Sequence, residues 1–248
     1  MTDLTQCHRE HPLPALVAHR GDAGRYPENT VASIRAALEA GVGAVEFDVQ
    51  LTADRVPVVL HDANLQRTTG VDAEVLDVDA DRVRAIETGD GVTVPTLAEM
   101  VAELRAWPDA IAFVEIKRAS IRRFGVGPVV DRVLDELRPV MDNAVVVSFD
   151  REAVALARRR GGARIGWVIE AWDDAVLADA EALGPEYLFC DMPIAGDRLW
   201  PGPWQWVVYG VETADDAMAM AARGADFVET MAVGELLGAL EPRRDGPV

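Results

Sequence analysis

Residues 44–62 read AVEFDVQLTADRVPVVLHD, two short apolar runs separated by a polar turn. In an extended strand residues two apart share a face, so Glu46, Asp48 and Gln50 point one way while Val45, Phe47 and Val49 point the other. Working outward, short β-rich apolar runs recur at 15–18, 44–49, 57–60, 112–116, 144–149, 163–169, 187–190, 206–210 and 226–229. Apolar residues three and four apart fall between them, at 30–40, 96–107, 129–137, 151–160, 173–183 and 213–223, and predict helices there. This alternation predicts βαβ units around a parallel sheet, and eight or nine strands in 248 residues predict an α/β fold closed as a (β/α)8 barrel.

One domain, 1–248, is expected. The polar and acidic stretch 64–94 is too long for an ordinary βα loop and reads as an insertion after the strand that ends at His61, forming a cap beside the barrel mouth. Local signals support the helices: Asn29 or Thr30 caps the first and Gly41 ends it, Thr96 and Glu99 form a capping box, and Gly224 closes the helix before the last strand. Residues 1–14 and 241–248 are polar and contain proline, so fraying is expected at both ends.

Lys and Arg number 24 against 42 Asp and Glu, for a formal charge of -18. Such a surface repels nucleic acid and anionic membranes, so neither is an expected partner. Any phosphate-bearing ligand must then be met by a metal ion or a few placed cations. Cys7 and Cys190 are too few for a disulfide framework, the opening MTDLTQCHREHPLP lacks the features of a secretory signal, and no run approaches a membrane span. These features predict a cytoplasmic protein without membrane insertion and leave homo-oligomerisation open.

The chemistry is carried by side chains that do not belong in an apolar barrel. Both faces of a parallel barrel strand are ordinarily apolar, so Glu46 and Asp48 on one face require a partner, and a divalent cation such as Mg²⁺, Ca²⁺ or Mn²⁺ suits their hard oxygens. A solvated edge strand would explain them equally. The run AFVEIK at 112–117 sets Glu115 and Lys117 on one face, either as a third ligand and a cation or as an internal ion pair. His19 and His61 both end short apolar strands, where barrel enzymes gather their catalytic groups, and imidazole transfers protons in either direction near neutrality. The other two histidines, His8 and His11, lie in the expected tail. Arg20, followed by Gly21, could meet a phosphate oxygen or pair with a site acid, and Glu28 could approach the same place.

Taken together, HRG at 19–21, PENT at 27–30, EFDVQLTADRVPVVLHD at 46–62, RTTG at 67–70, VPTLAEM at 94–100 and VEIK at 114–117 closely resemble the glycerophosphodiester phosphodiesterase family. The resemblance is concentrated in the first half of the chain; afterwards only SFD at 148–150 and the last strand look familiar. It implies a TIM-like barrel in which His19 and His61 act as general acid and base. It further implies a divalent ion held by Glu46, Asp48 and Glu115, and Arg20 and Lys117 neutralising the phosphate. The implied reaction converts a small phosphodiester to sn-glycerol 3-phosphate and an alcohol. Two stretches depart from the family pattern. WVVYGVE stands where a Trp-Thr-Val-Asn-like segment is usual, which makes Trp206 a candidate substrate wall, and VETM puts Met231 where an Asp is usual. The departures bear on the released head group. Trp200, Trp204 and Trp206 are expected by default to pack as core.

Two rivals stand beside this reading. A Schiff-base lyase would use Lys117 as nucleophile but leaves three convergent carboxylates unexplained. A non-catalytic phosphate-binding barrel would have no need of both histidines.

Overall fold

The computed structural model describes residues 13–88 and 91–244. Cys7, His8 and His11 lie outside the described residues. Eight parallel strands close a barrel: β1 (Ala15–His19), β2 (Ala44–Leu51), β4 (Ile111–Ile116), β5 (Ala144–Ser148), β6 (Arg164–Val168), β7 (Tyr187–Asp191), β8 (Gln205–Tyr209) and β9 (Phe227–Thr230). Closure is made by β1, which pairs with β2 on one side and β9 on the other. The ninth strand, β3 (Pro57–Val59), is not a stave of the barrel. It folds back antiparallel on the last turn of β2, Val49 opposite Val59 and Leu51 opposite Pro57.

The helices are α1 (Val31–Glu39), α2 (Gln66–Thr69), α3 (Ala80–Arg84), α4 (Leu97–Leu104), α5 (Arg118–Phe124), α6 (Val126–Leu137), α7 (Arg151–Gly161), α8 (Asp174–Leu183), α9 (Ala214–Arg223) and α10 (Val233–Arg244). Thr30, not Asn29, caps α1, in a reciprocal box with Ser33; Thr96 and Glu99 form the expected box on α4, and Gly224 ends α9 in the left-handed region. Of the two stretches expected to fray, residues 1–12 and 245–248 lie outside the described residues; Leu13 is buried in the main core, and α10 continues through Arg244.

Strand alternation divides the apolar residues into two layers. Val45, Phe47, Val49, Ala112, Val114 and Ile116 join the large core between barrel and helices. Ala44, Ile111, Phe113, Val145, Val207 and Phe227 fill the barrel. Phe113 meets Tyr187, Phe189 and Phe227 edge to face with ring centroids 4.9, 5.2 and 6.1 Å away, contacts worth about 1 kcal/mol each beyond area burial. These rings close the middle of the barrel, beneath the side chains gathered at its C-terminal end.

Residues 64–94 carry α2, a 3-10 turn at Val75–Asp77 and α3. Leu65, Val75, Val83 and Val94 pack on Val58 and Leu60 of the hairpin arm in a third, separate apolar cluster. Among the described residues, no helix is long and apolar enough to cross a membrane.

After β1 the chain turns sharply at Gly21, whose φ is +82°. A Cβ there would lie 2.5 Å from the carbonyl carbon of Ser33 and 2.7 Å from the amide nitrogen of Ile34, inside the first turn of α1. Backbone cannot yield as a side chain can. Gly21→Ala should therefore destabilise the chain by about 2 kcal/mol or more in denaturant unfolding; an unchanged midpoint and slope would show that this turn is not closed as described.

Candidate active site

Continuing the inner-facing parity to the strand ends gives the residues of the mouth. His19 follows Val17, Glu46 and Asp48 follow Ala44, Glu115 follows Phe113, Tyr209 follows Val207 and Glu229 follows Phe227. The pocket at this end is lined by His19, Arg20, Glu46, His61, Glu115 and Lys117 on one side. Val147, Phe149, Val168, Phe189, Tyr209 and Glu229 complete the wall.

The β1–α1 loop aims Arg20. Arg20 and Asn29 both have φ of 59°, a left-handed conformation uncommon outside glycine and costly unless held by neighbours. They are held: the Arg20 carbonyl accepts from Asn29 N–H at 3.0 Å and from Ser33 Oγ at 3.0 Å, and Arg20 N–H donates to Glu46 Oε2 at 3.1 Å. The guanidinium then donates from Nη1 to Glu28 at 3.1 Å and brings Nε within 3.3 Å of Asp48. Asn29 does not cap the helix because it grips Asp48 instead, donating from Nδ2 to Oδ2 at 2.9 Å and accepting the Asp48 N–H at 3.1 Å. Lys117 Nζ lies 2.9 Å from Glu115 and 3.1 Å from Asp48. The ion pairs weighed from sequence for Arg20 and Lys117 thus both form, and both cations still line the pocket.

His61 reaches the mouth by a route the sequence did not suggest. It follows the antiparallel β3, not a barrel strand, and the hairpin lays it back against the Asp48 end of β2, where Leu60 N–H donates to Asp48 O at 3.0 Å. Gln50 Nε2 holds the His61 carbonyl at 3.0 Å, and Gln50 Oε1 accepts from Ser120 Oγ at 2.8 Å. Asp62 takes His61 Nδ1 at 2.6 Å, and His61 lines the pocket. Arg67 ties this pair to the β1–α1 loop, reaching Asp62 at 2.5 Å and Glu28 with two bonds of 2.8 and 2.7 Å. Asp62, Glu28 and Arg67 are second-rank partners that residue type alone did not single out as a network.

Trp206, expected as a substrate wall, is misplaced for that role. It lies one residue out of phase with Val207 and Tyr209, so its ring faces the helix layer, lies tilted against Trp172 with centroids 5.4 Å apart and donates Nε1–H to the Trp200 carbonyl at 2.9 Å. Trp204 and Trp206 pack in that core and Trp200 against it, as expected by default. The residue that sequence reasoning missed is Glu229. The signal is strand parity: the alternation that exposes Glu46 applies equally to FVE at 227–229, where Phe227 and Glu229 share a face.

Four acids crowd the pocket. Glu46, Asp48 and Glu229 are 3%, 1% and 2% exposed, too little for water to solvate them. Burial, and next the Asp48 charge, pushes the Glu115 carboxyl up to about 7. Burial, then the Glu115 and Asp48 charges, pushes Glu229 up to about 8, and burial with Asp48 raises Glu46 well above the usual carboxylate range. Burial acts in the same sense on Asp48, but Lys117 and Arg20 overcome it and hold that group below its ordinary value. His19 is driven down to about 3, first by burial and then by the Arg20 charge. Glu46 Oε1 is buried without a hydrogen bond, while Asp48 Oδ1 and Glu115 Oε1 meet only the ion-pair contact of Lys117, off line for a hydrogen bond. One oxygen from each of Glu46, Asp48 and Glu115 lies within 4.8 Å of the others. Unsatisfied, closely grouped carboxylate oxygens are the donor set that a hard divalent cation accepts, so the residues fit such an ion.

In chelator-treated protein the crowding has a measurable consequence. Glu115 and Glu229 keep protons to about 7 and 8 when folded but release them near 4.5 when unfolded, so thermal stability should fall as pH rises from about 6.5 to 8. Below 6.5 His19 acts in the opposite sense, because the unfolded imidazole takes a proton that the buried one refuses. Added Mg²⁺ should raise the melting temperature, and more at pH 8 than at 6.5. A melting temperature indifferent to both pH and cation would contradict this grouping of carboxylates.

The glycerophosphoryl diester phosphodiesterase family model matches residues 19–183. The chain is 30% identical over 228 residues to a glycerophosphodiester phosphodiesterase of Caldanaerobacter subterraneus subsp. tengcongensis, covering 87% of this chain and 93% of the relative. A phosphodiesterase of Oleispira antarctica, solved in complex with the product sn-glycerol-3-phosphate, superposes with a TM-score of 0.81 at 21% identity, covering 92% of this chain and 97% of that one. A putative glycerophosphoryl diester phosphodiesterase from Agrobacterium tumefaciens gives a TM-score of 0.83 at 19% identity, covering 94% and 100%. At these identities the structures speak for the fold, whereas the family match, which takes in His19, the acids of β2 and β4 and His61, and the curated relative show kinship: this chain belongs to the glycerophosphoryl diester phosphodiesterase family.

Proposed function

We propose that this chain is a metal-dependent phosphodiesterase that cleaves glycerophosphodiesters to sn-glycerol 3-phosphate and an alcohol. The observation that carries the reading is the meeting, at one mouth, of two imidazoles, two half-buried cations and a grouped carboxylate set. Glu46, Asp48 and Glu115 would hold the cation, with Mg²⁺, Ca²⁺ and Mn²⁺ all compatible with an all-oxygen set. When bound, that ion supplies charge stabilisation at a phosphoryl oxygen.

The chain's own residues do the rest. Arg20 and Lys117 bind the phosphate and offset charge as it builds on the equatorial oxygens. Glu28 and Asp48 keep the Arg20 fork aimed, and Asn29 keeps Asp48 from turning away. One imidazole removes the proton from the attacking oxygen, and the other delivers a proton to the departing alkoxide as the P–O bond breaks. Asp62 fixes which nitrogen of His61 is available, with Gln50 holding its backbone. The segment 64–94 serves the same barrel as a cap, fastened at the mouth by Arg67.

The Schiff-base alternative is disfavoured by the environment of Lys117. Burial alone would lower its pKa, but Asp48 and Glu115 outweigh that and keep the amine protonated, whereas a carbonyl nucleophile must be neutral.

Steady-state turnover of glycerophosphodiesters, with and without chelator, tests the reading. Activity should vanish on chelation and return with added cation, and His19→Ala and His61→Ala should each lower kcat by about 10² or more. A diester with a nitrophenolate leaving group, which departs without protonation, should restore turnover in the variant lacking the general acid and not in the other. Full activity in either variant, or turnover untouched by chelator, would overturn these assignments.

A further inference from the structure

The pocket wall is electrostatically lopsided. Its Arg and Lys, Arg20 and Lys117, both stand on the β1–β4 side, where they already face Glu28, Asp48 and Glu115. On the far side β8 and β9 supply Tyr209 and Glu229, register partners on neighbouring strands whose side chains leave the inner face side by side. Neither Lys nor Arg lines that side among the described residues. The Glu229 side chain is nearly inaccessible and makes no hydrogen bond among the described residues; its polar neighbours include His19 Nε2, at 3.5 Å, and Glu46, one oxygen of which lies within 4.8 Å. It also lies beyond residues 19–183, the stretch shared with the family model.

Glu229 stands beside Glu46 and His19, within the field of Glu115, with no Lys or Arg in ion-pair contact among the described residues, and a cation brought by the ligand would give it a partner. We propose that Glu229, with the ring of Tyr209 beside it, is a specificity-determining residue that selects phosphodiesters whose alcohol half carries an ammonium group. The inference rests on the phosphodiesterase reading of the same pocket. With phosphate held by Arg20 and Lys117 between the imidazoles, the ester oxygen on the His19 side points towards Glu229, because His19 touches that carboxylate. A short methylene spacer then lies against Val168 and Phe189, and the ammonium comes to rest between the carboxylate and the aromatic face. Low local polarity strengthens both attractions, and an anionic head group would meet only acidic, aromatic and apolar groups on this wall.

The test compares glycerophosphocholine with its uncharged isostere, the 3,3-dimethylbutyl diester of glycerol phosphate, on metal-loaded enzyme. Wild type should favour the choline ester by about tenfold in kcat/KM, and Glu229→Gln should bring the ratio near one. Taking the ratio cancels any loss that the variant suffers through His19. A wild-type ratio near one overturns the proposal whether or not the variant folds, and so does a preference that survives in Glu229→Gln. If neither diester is turned over, the hydrolase reading fails, and calorimetric binding of the same two ligands still decides the role of Glu229: equal affinities refute it, and tighter binding of the charged ligand upholds it.

Discussion

Burying carboxylates at the mouth of an apolar barrel is the constraint around which this chain is arranged. Glu46 and Asp48 sit on one strand face, almost without water, and Glu115 joins them from the neighbouring strand. Each would be expensive alone. The chain answers with Arg20, Lys117 and the Asn29 amide, yet leaves carboxylate oxygens without good hydrogen bonds. The shortfall defines a cation site and makes the two basic side chains available on the side where a phosphate would approach.

That constraint propagates outward through backbone geometry. Arg20 faces Asp48 by taking a left-handed conformation, which brings Gly21 against the first turn of α1 and lets Ser33 Oγ donate to the Arg20 carbonyl. His61 can face the same cluster only because β3 doubles back on β2. Arg67 then links the two loops through Glu28 and Asp62, so the phosphate-facing guanidinium and the His61 imidazole are positioned by one continuous set of ion pairs.

Much of this was legible in residue order. Period-two alternation identified the inward carboxylates of β2 and β4, and strand–helix alternation identified the barrel, because both follow from local sterics and burial. What escaped the reading depends on pairing between distant segments. Nothing in PVVLH says that β3 runs antiparallel and outside the barrel. Helix α5, RASIRRF, buries only Ser120 and Ile121 and so carries no apolar stripe, yet Ser120 supports Gln50 and through it His61. Helix α10, with Gly234 and Gly238 in its span, also lacks a clear signal. Trp206 and Glu229 show the cost of reading by residue type: strand parity sends the tryptophan outward and the glutamate into the pocket.

If Glu46, Asp48 and Glu115 converge on one divalent cation beside Arg20, Lys117 and the two histidines, crystals grown with Mn²⁺ should show it by anomalous diffraction. A peak is expected within bonding distance of one oxygen from each of the three acids. Full-strength anomalous signal elsewhere on the molecule, with none at this cluster, would contradict it.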